Sequence, residues 1–222
     1  MATTPTYGWD YQGLSDPPNG ALLGENLALD AEATVSGIDT RLTTAESDIN
    51  VIQAIGPYTA RTILSGTQAA ITFSSIPSNL RRLKLFWTAR GDTGGFPDLR
   101  IRVNNDSGAN YHFEYLQGNG AVPSSAPGTS GTSAQLGFIP GVTATPNSFG
   151  AGECTIVGWD SPHSIWLSWV ATSGMNVPGT LQVVHATTGS YIVAGPYTRL
   201  DIFLGSGSFV SGSDFQLEGW YA

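Results

Sequence analysis

The sequence predicts a mainly β protein, in which an extended N-terminal peptide and a short parallel coiled coil precede an antiparallel β-sandwich or jelly-roll head. Three observations lead to this fold class. Apolar residues repeat every seven positions, a Gly-Pro pair then stops the helix, and short alternating runs separated by turn residues follow. These features divide the chain into a peptide (1–23), a helical stalk (24–56) and a β domain (57–222).

The helical segment carries four heptads without a register slip, a pattern typical of a coiled coil and not of a helix lying on a globular core. Its predicted self-association positions are Ala28, Val35, Leu42 and Ile49 at a and Ala31, Ile38, Ala45 and Ile52 at d. Isoleucine at both kinds of position favours three or more helices over two, so we expect a homotrimer.

The predicted coil is weak, because alanine occupies three of its core positions and Gly37 lies in its middle. Alanine also reduces the preference for three helices over two. Arg41 at g would meet Glu46 at the following e of a neighbouring helix in a parallel bundle. Because a short, weak coil seldom trimerises alone, we expect the β domain to share the interface. The alternative is an amphipathic helix packed back on the β domain.

The β domain is predicted from apolar alternation in short runs. The runs are 71–73, 83–87, 99–103, 111–115, 154–159, 165–170, 181–184, 200–204 and 215–221. Turn residues lie between them, among them Asn104-Asn105, Gly94-Gly95 and Gly205-Ser206-Gly207. Trp87, Trp166 and Trp169 are the expected tryptophans of the core. The stretch 118–131, rich in Gly, Ser, Pro and Thr, is predicted to be a long surface loop.

Composition narrows the function classes. The net charge is −8, of which residues 1–56 carry −7 through eight acids and the single base Arg41. This balance argues against a general nucleic-acid binder. No run of 18 apolar residues occurs, so membrane insertion is not expected, and the start of the chain lacks a signal-peptide pattern. The single Cys154 excludes an internal disulfide framework.

The search for catalytic and cofactor chemistry predicts no enzyme, no cofactor and no metal site. His112, His163 and His185 lie too far apart in sequence to form a metal-ligand motif. A glycosidase needs two carboxylates about 5–10 Å apart, and Asp98, Asp106 and Glu114 supply candidates whose linear spacing leaves that distance open. Asn104, Asn105 and Asp106 offer oxygen ligands to calcium, but a hairpin turn accounts for them better.

A cluster of basic residues is the strongest candidate for ligand contact. Six of the nine bases fall within 22 residues: Arg81, Arg82, Lys84, Arg90, Arg100 and Arg102. Arg82 with Lys84, and Arg100 with Arg102, are two residues apart and share a strand face. If those strands pair, a cationic face results that suits an anionic host glycan, through charge-assisted hydrogen bonds. The alternative is a solvated face, or ion pairs with carboxylates across the trimer interface. Trp220 and Tyr221 offer either stacking surfaces for sugar rings or closure of the trimer base.

Several stretches together resemble a recurrent virion domain of tailed bacteriophages. They are Ile71-Thr72-Phe73-Ser74-Ser75-Ile76-Pro77, Leu83-Lys84-Leu85, Ala89-Arg90-Gly91-Asp92, residues 99–111, Tyr197-Thr198-Arg199-Leu200-Asp201-Ile202-Phe203, Gly207-Ser208-Phe209 and residues 212–219. The domain is similar to C-terminal heads of tail fibres, minor tail proteins and capsid fibres. Tyr7-Gly8-Trp9 and Asp16-Pro17-Pro18-Asn19-Gly20 resemble the virion-attachment ends of proteins from phages of actinobacteria. The resemblance covers about two thirds of the chain, and residues 118–150 lie outside it.

The resemblance implies a trimeric β-sandwich and a structural virion protein made in the cytoplasm of the bacterial host. We expect a fibre or spike whose partners are itself, other virion proteins and a glycan of the host surface. The N-terminal aromatic residues suit docking on a tail or major capsid protein, through Tyr7, Trp9, Tyr11 and Leu14. A disordered tail is the alternative. Two locations stay open, a tail fibre that recognises the host and a capsid fibre that decorates the head; a small glycan-active enzyme is a third, less favoured hypothesis.

Overall fold

The computed structural model describes the backbone of residues 2–3, 10–11, 20–54, 57–120, 122–160, 166–177 and 181–221. Side chains are described for residues 28–47, 57–120, 122–160, 166–175 and 182–221. The chain forms two compact units, Met1–Gly56 and Pro57–Ala222.

The first unit consists of a long helix and a small strand pair. Strands β1 (Ala2–Thr3) and β2 (Asp10–Tyr11) pair antiparallel. Helix α1 spans Gly20–Ala54 and therefore begins four residues before the predicted stalk. Its 35 residues correspond to a length of about 50 Å. No described helix combines the length and hydropathy that a membrane span requires.

Threonine is a poor helix former, and α1 accommodates several by local hydrogen bonding. Thr34 Oγ1 donates to the carbonyl oxygen of Asp30 at 2.8 Å, and Thr40 Oγ1 donates to that of Ser36 at 2.9 Å. Each hydroxyl thus finds an acceptor one turn earlier, at the carbonyl oxygen that also accepts the backbone N–H of the threonine in a regular helix. The seven-residue apolar pattern lies on one continuous helix, α1, across residues 28–47.

The second unit consists of β-strands joined by turns and loops. In chain order they are β3 (Tyr58–Ile63), β4 (Ala70–Phe73), β5 (Leu80–Ala89), β6 (Asp98–Val103), β7 (Tyr111–Gly118), β8 (Ser124–Gly131), β9 (Ala134–Phe138), β10 (Gly150–Val157), β11 (Leu167–Val177), β12 (Leu181–Tyr191), β13 (Leu200–Leu204) and β14 (Asp214–Tyr221).

These strands form two antiparallel sheets. The large sheet has the order β3-β14-β5-β10-β11-β12-β7-β8, and the small sheet has the order β4-β13-β6-β9. Strands that follow each other in sequence often lie in different sheets, for example β5 in the large sheet and β6 in the small one. The outer faces of the two sheets therefore collect residues from strands that are distant in sequence.

One hydrophobic core lies between the sheets. Leu83, Leu85 and Trp87 of the large sheet and Leu99 and Ile101 of the small sheet alternate with exposed or half-buried neighbours and belong to this core. Alternation is the consequence of the strand period of two. The mainly β, antiparallel and sandwich-like class predicted from the sequence is confirmed.

The tryptophans of the core differ from the prediction in one case. Trp87 and Trp169 are buried, as expected, but Trp166 is 58% exposed. Trp159 takes its place in the core at 1% exposure, with its ring tilted against that of Tyr197 at a centre-to-centre distance of 5.6 Å. The prediction for Trp166 was wrong because it lies just before β11, whose first buried residue is Leu167.

The predicted surface loop at 118–131 is also wrong, since β8 occupies Ser124–Gly131. This strand pairs antiparallel with β7 and forms one edge of the large sheet. Thr129 is its single residue of high strand propensity, but Gly128 lies opposite Phe113, and a Cβ at residue 128 would approach the Phe113 ring to 2.3 Å. Backbone pairing and room for an aromatic ring make this stretch a strand.

The turns follow the predicted residue types. Asn104 and Asn105 have φ of 52° and 57°, and Gly95 and Gly207 have φ of 76° and 77°. Asparagine tolerates the left-handed region better than most residues, and glycine enters it without a steric cost. These positions let β6 and its neighbours reverse direction within a few residues.

Candidate functional site

The seam of α1 is the first candidate interaction surface. Val35, Ile38 and Leu42 are 63%, 59% and 55% exposed, and Ala28, Ala31 and Ala45 are exposed as well. An apolar stripe of this length on a helix is ordinarily buried against a partner. Six of the eight predicted seam positions are therefore described, and all six are exposed on α1.

Several predicted residues lie outside the described part of the chain. The side chains of Ile49 and Ile52 are not among the described ones, although both residues belong to α1. The docking residues Tyr7, Trp9 and Leu14 lie outside the described residues, and Tyr11 is described only as backbone of β2. His163 is outside them too.

The predicted cationic residues do not share one face. Arg82 and Lys84 lie on β5 of the large sheet, whereas Arg100 and Arg102 lie on β6 of the small sheet. Both pairs project from the outer side of their own sheet, because the residues between them are buried in the core. The two strands do not pair, so the condition for a single cationic face is not met.

Each of these bases has a partner within the chain. Lys84 Nζ lies 2.9 Å from Glu153 Oε2, and the Arg82 guanidinium lies 4.7 Å from the centre of the Trp220 ring. Arg102 Nε donates to the carbonyl oxygen of Thr132 at 3.0 Å. Because neighbouring groups engage the bases, an anionic ligand would have to compete for them.

Two of the three remaining bases of the cluster, Arg100 and Arg90, also have partners within the chain. Arg100 forms a short ion pair with Asp98, and Arg81 lies exposed at the start of β5. Arg90 is buried, and its guanidinium donates to main-chain carbonyl oxygens of the loop between β9 and β10. It thus holds a loop and presents no charge at the surface.

The two C-terminal aromatics differ in their surroundings. Trp220 lies on the outer side of the large sheet beside Arg82, and one face of its ring receives that guanidinium. Tyr221 is half-buried and packs against the core. Both side chains are half-buried, so neither presents a fully open ring to a partner outside the unit.

The candidate catalytic carboxylates do not meet in one cleft. Asp98 projects from the small sheet beside Arg100, whereas Glu114 is exposed on the outer side of the large sheet. Asp106 lies in the turn between β6 and β7. Among the described residues, no group of three or more His, Cys, Asp or Glu side chains is placed to hold a metal ion.

Asp106 organises its turn through three hydrogen bonds. Its Oδ1 accepts from the Gly108 amide at 2.7 Å, and its Oδ2 accepts from Asn110 Nδ2 at 2.7 Å and from the Tyr191 hydroxyl at 2.9 Å. The Gly108 amide is the main reason that the pKa of Asp106 is lowered. Burial raises the pKa of the nearby Tyr111 to about 12. These donors account for Asp106 as a structural residue of a turn.

Asp106 should make the β domain sensitive to acid. We expect Asp106→Asn to lower the free energy of unfolding near pH 7 by about 1–3 kcal/mol, because an amide cannot accept all three hydrogen bonds. A carboxyl whose folded-state pKa is depressed stabilises fully above its unfolded-state pKa of about 4, and this contribution is lost as the pH falls through the lower folded-state value. The difference between the two proteins should therefore narrow below about pH 4.

Urea unfolding followed by tryptophan fluorescence over a pH series measures this difference. The control is Glu114→Gln, which changes an exposed carboxyl on β7 and should keep the free energy of unfolding of the wild type near pH 7. If the loss of unfolding free energy in Asp106→Asn does not change with pH, the role of the Asp106 carboxylate as acceptor in this turn is contradicted.

A second candidate surface was not predicted from the sequence. The outward residues of β11 and β12 are Ser168, Val170, Thr172, Gly174, Val184, Ala186, Thr188 and Ser190, and none of them is charged. We call these eight positions the neutral face. On the same side of the sheet, β3, β14 and β5 present Arg61, Asp214, Glu218, Lys84 and Arg82. Taking every second residue along β11 and β12 identifies the uncharged residues in the sequence. Only the order of the strands in the sheet places the two sets side by side.

Comparison with known proteins adds no relative. No family model, no curated protein and no solved structure matches this chain.

Proposed function

We propose that this chain is a structural protein of a bacteriophage particle, a homotrimeric fibre or spike without enzymatic activity. In this proposal the N-terminal peptide docks on the particle, α1 forms a parallel coiled-coil stalk, and the β domain is a head directed at the host surface. The observation that carries the proposal is the exposed heptad seam of α1, next in sequence to a β unit with its own hydrophobic core.

The seam supports self-association for a physical reason. A 35-residue helix whose apolar stripe stays in water would lose the burial that normally stabilises helices in proteins. Copies of the same helix offer the matching stripe, and isoleucine at both a and d favours more than two of them. The resemblance of the β domain to phage fibre heads gives this oligomer its place on a virion.

The host ligand is the less developed part of the proposal. Adhesion to an anionic host glycan through Arg82, Lys84, Arg100 and Arg102 receives little support from their positions on two sheets and their contacts within the chain. We therefore base the adhesive role on the stalk-and-head organisation, and leave the ligand to binding experiments with host cells. A glycan-active enzyme would need a shared cleft for the candidate carboxylates, which lie on different parts of the unit.

Location on the particle is tested by electron microscopy of intact virions labelled with a gold-conjugated antibody against residues 57–222. We expect label at the tail end, and the purified full chain should then bind host cells and reduce infection. Label over the capsid would instead support a decoration fibre. Absence of label, with the protein found only in soluble lysate, would contradict the virion proposal.

Deletion of residues 1–23 tests docking separately from assembly. We expect the shortened protein to keep the oligomeric mass of the full chain in sedimentation experiments and to be lost from purified particles. The matched control is the full chain supplied from the same plasmid. Incorporation of the shortened protein at wild-type copy number would show that docking does not depend on this peptide.

A further inference from the structure

The neutral face differs from the rest of the same sheet surface in its charge. Residues on β3, β14, β5 and β10 form a mixed array of acids and bases, in which Arg61 and Asp214 pair at 2.6 Å and Lys84 and Glu153 pair at 2.9 Å. Two acids border the neutral face, Glu153 opposite Thr172 and Glu114 opposite Thr188. The eight outward positions on β11 and β12, by contrast, carry no acidic or basic side chain. The outer side of an antiparallel sheet is usually polar when it faces water, whereas depletion of charge marks the centre of interfaces.

Large apolar side chains on and beside the neutral face are strongly exposed and adjoin one another. Val184 and Leu116 are each 64% exposed, Val170 is 58% exposed, and Val157 is 44% exposed. The register places Ala186 directly opposite Leu116 and one outward position from Val184, and Val170 follows diagonally. They follow one another across β10, β11, β12 and β7, and Glu153 and Glu114 border this patch on the two outer strands.

The patch also contains a groove. A groove with a volume of about 590 Å³ lies at its β7–β8 side, and its lining includes Leu116, Pro123, Thr172, Val184 and Ala186. A depression of this size admits one or more side chains of a protein partner. Gly118, which lies opposite Val184 on β7, lines this groove and adds no side chain to it.

We propose that the neutral face is a self-association surface of the head, covered by a neighbouring copy of this chain. This inference rests on the oligomer of the proposed function and adds a second, separate contact to it. The occupant is a second copy because α1 exposes its own apolar seam, so that the helices of several copies associate and hold their heads at high local concentration. A face without charge gains nothing from electrostatic steering and suits a partner delivered by tethering.

The area of the neutral face is smaller than that of a stable interface. Strands lie about 4.8 Å apart and outward residues about 6.8 Å apart along a strand, so the neutral face, with four outward positions on each of two strands, covers roughly 260 Å² per copy. Stable interfaces bury about 800 Å² per partner. The face by itself would give only weak association, and the weak, alanine-containing coil would do the same. Joined in one chain, the two contacts reinforce each other.

Thiol accessibility tests the proposal in the full-length protein. The natural Cys154 is fully buried and burial raises the pKa of its thiol, so an introduced cysteine is the reactive one. We compare maleimide labelling of Val170→Cys and Thr188→Cys, both on the neutral face, with Thr59→Cys, which is exposed on β3 of the same sheet surface. We expect both thiols on the face to react at least about tenfold more slowly than the Thr59→Cys thiol, because reagent reaches a covered thiol only through transient opening.

Sedimentation of the same samples separates failure of this inference from failure of the proposed function. An oligomer in which the Val170→Cys and Thr188→Cys thiols react within about threefold of the Thr59→Cys thiol has an open face, and overturns the inference while leaving the fibre proposal intact. A monomer at every concentration overturns both. The inference is supported by an oligomer in which the thiols on the neutral face react slowly. They should react faster once a Leu42→Lys substitution disrupts the stalk.

Discussion

Replacement of Arg90 by methionine should lower the free energy of unfolding by about 3 kcal/mol or more. The Arg90 guanidinium is buried and donates to the carbonyl oxygens of Thr145 at 2.6 Å and of Ala144 and Ser148 at 3.0 Å. Methionine fills a similar volume but leaves these acceptors without donors inside the protein. Urea unfolding monitored by tryptophan fluorescence measures the loss.

The matched control is Arg102→Met on the outer side of β6, where the guanidinium is half-buried and stacks at 4.6 Å from the Phe203 ring centre. Its loss should cost about 1 kcal/mol or less. Hydrogen exchange gives a local readout, since residues 142–148 should lose protection in Arg90→Met before the rest of the unit. A stability of Arg90→Met within about 1 kcal/mol of the wild type would contradict the anchoring of this loop.

Substitution of Gly189 by alanine is expected to be the second large effect, at about 3 kcal/mol. Gly189 of β12 lies directly opposite Trp169 of β11. A Cβ at residue 189 would lie 2.3 Å from the Trp169 ring and 2.4 Å from the main-chain oxygen of His112. A ring can tilt, but the backbone of β7 cannot move without breaking the pairing of two strands.

Gly66→Ala, in the bend between β3 and β4, controls for the general cost of changing a glycine. Gly66 is exposed, and nothing lies within 4 Å of a Cβ at this position. We expect a change of less than about 0.5 kcal/mol, in either direction, because the methyl group meets open space. Thermal unfolding of both variants decides the matter, and equal melting temperatures would contradict the steric argument.

Much of the helix and of the strand pattern was predictable because the signals are local. The heptads between Ala28 and Ile52 lie within α1, and the alternating runs at 99–103 and 200–204 reappear as strands with little change in their ends. Asn104-Asn105 forms a left-handed turn as its residue types indicate. In each case, the information sits within a few residues of the feature that it determines.

The errors have a common cause, which is that a lateral neighbour in a sheet can come from anywhere in the chain. The strand β8 exists because its backbone pairs with β7 and its Gly128 admits the Phe113 ring, and neither partner can be identified from residues 124–131 alone. For the same reason, Arg82 and Arg100 proved to lie on different sheets.

The sequence by itself determined the class of fold, the place of the helix and the apolar seam along it, because these follow from periods of seven and of two. Only the tertiary structure decided which strands are neighbours. That order brings eight uncharged residues of β11 and β12 side by side, places Gly189 beneath Trp169, and turns Arg90 inward to a loop more than fifty residues away in sequence. Contacts between distant segments depend on the burial and pairing of the whole chain, and no local pattern encodes them.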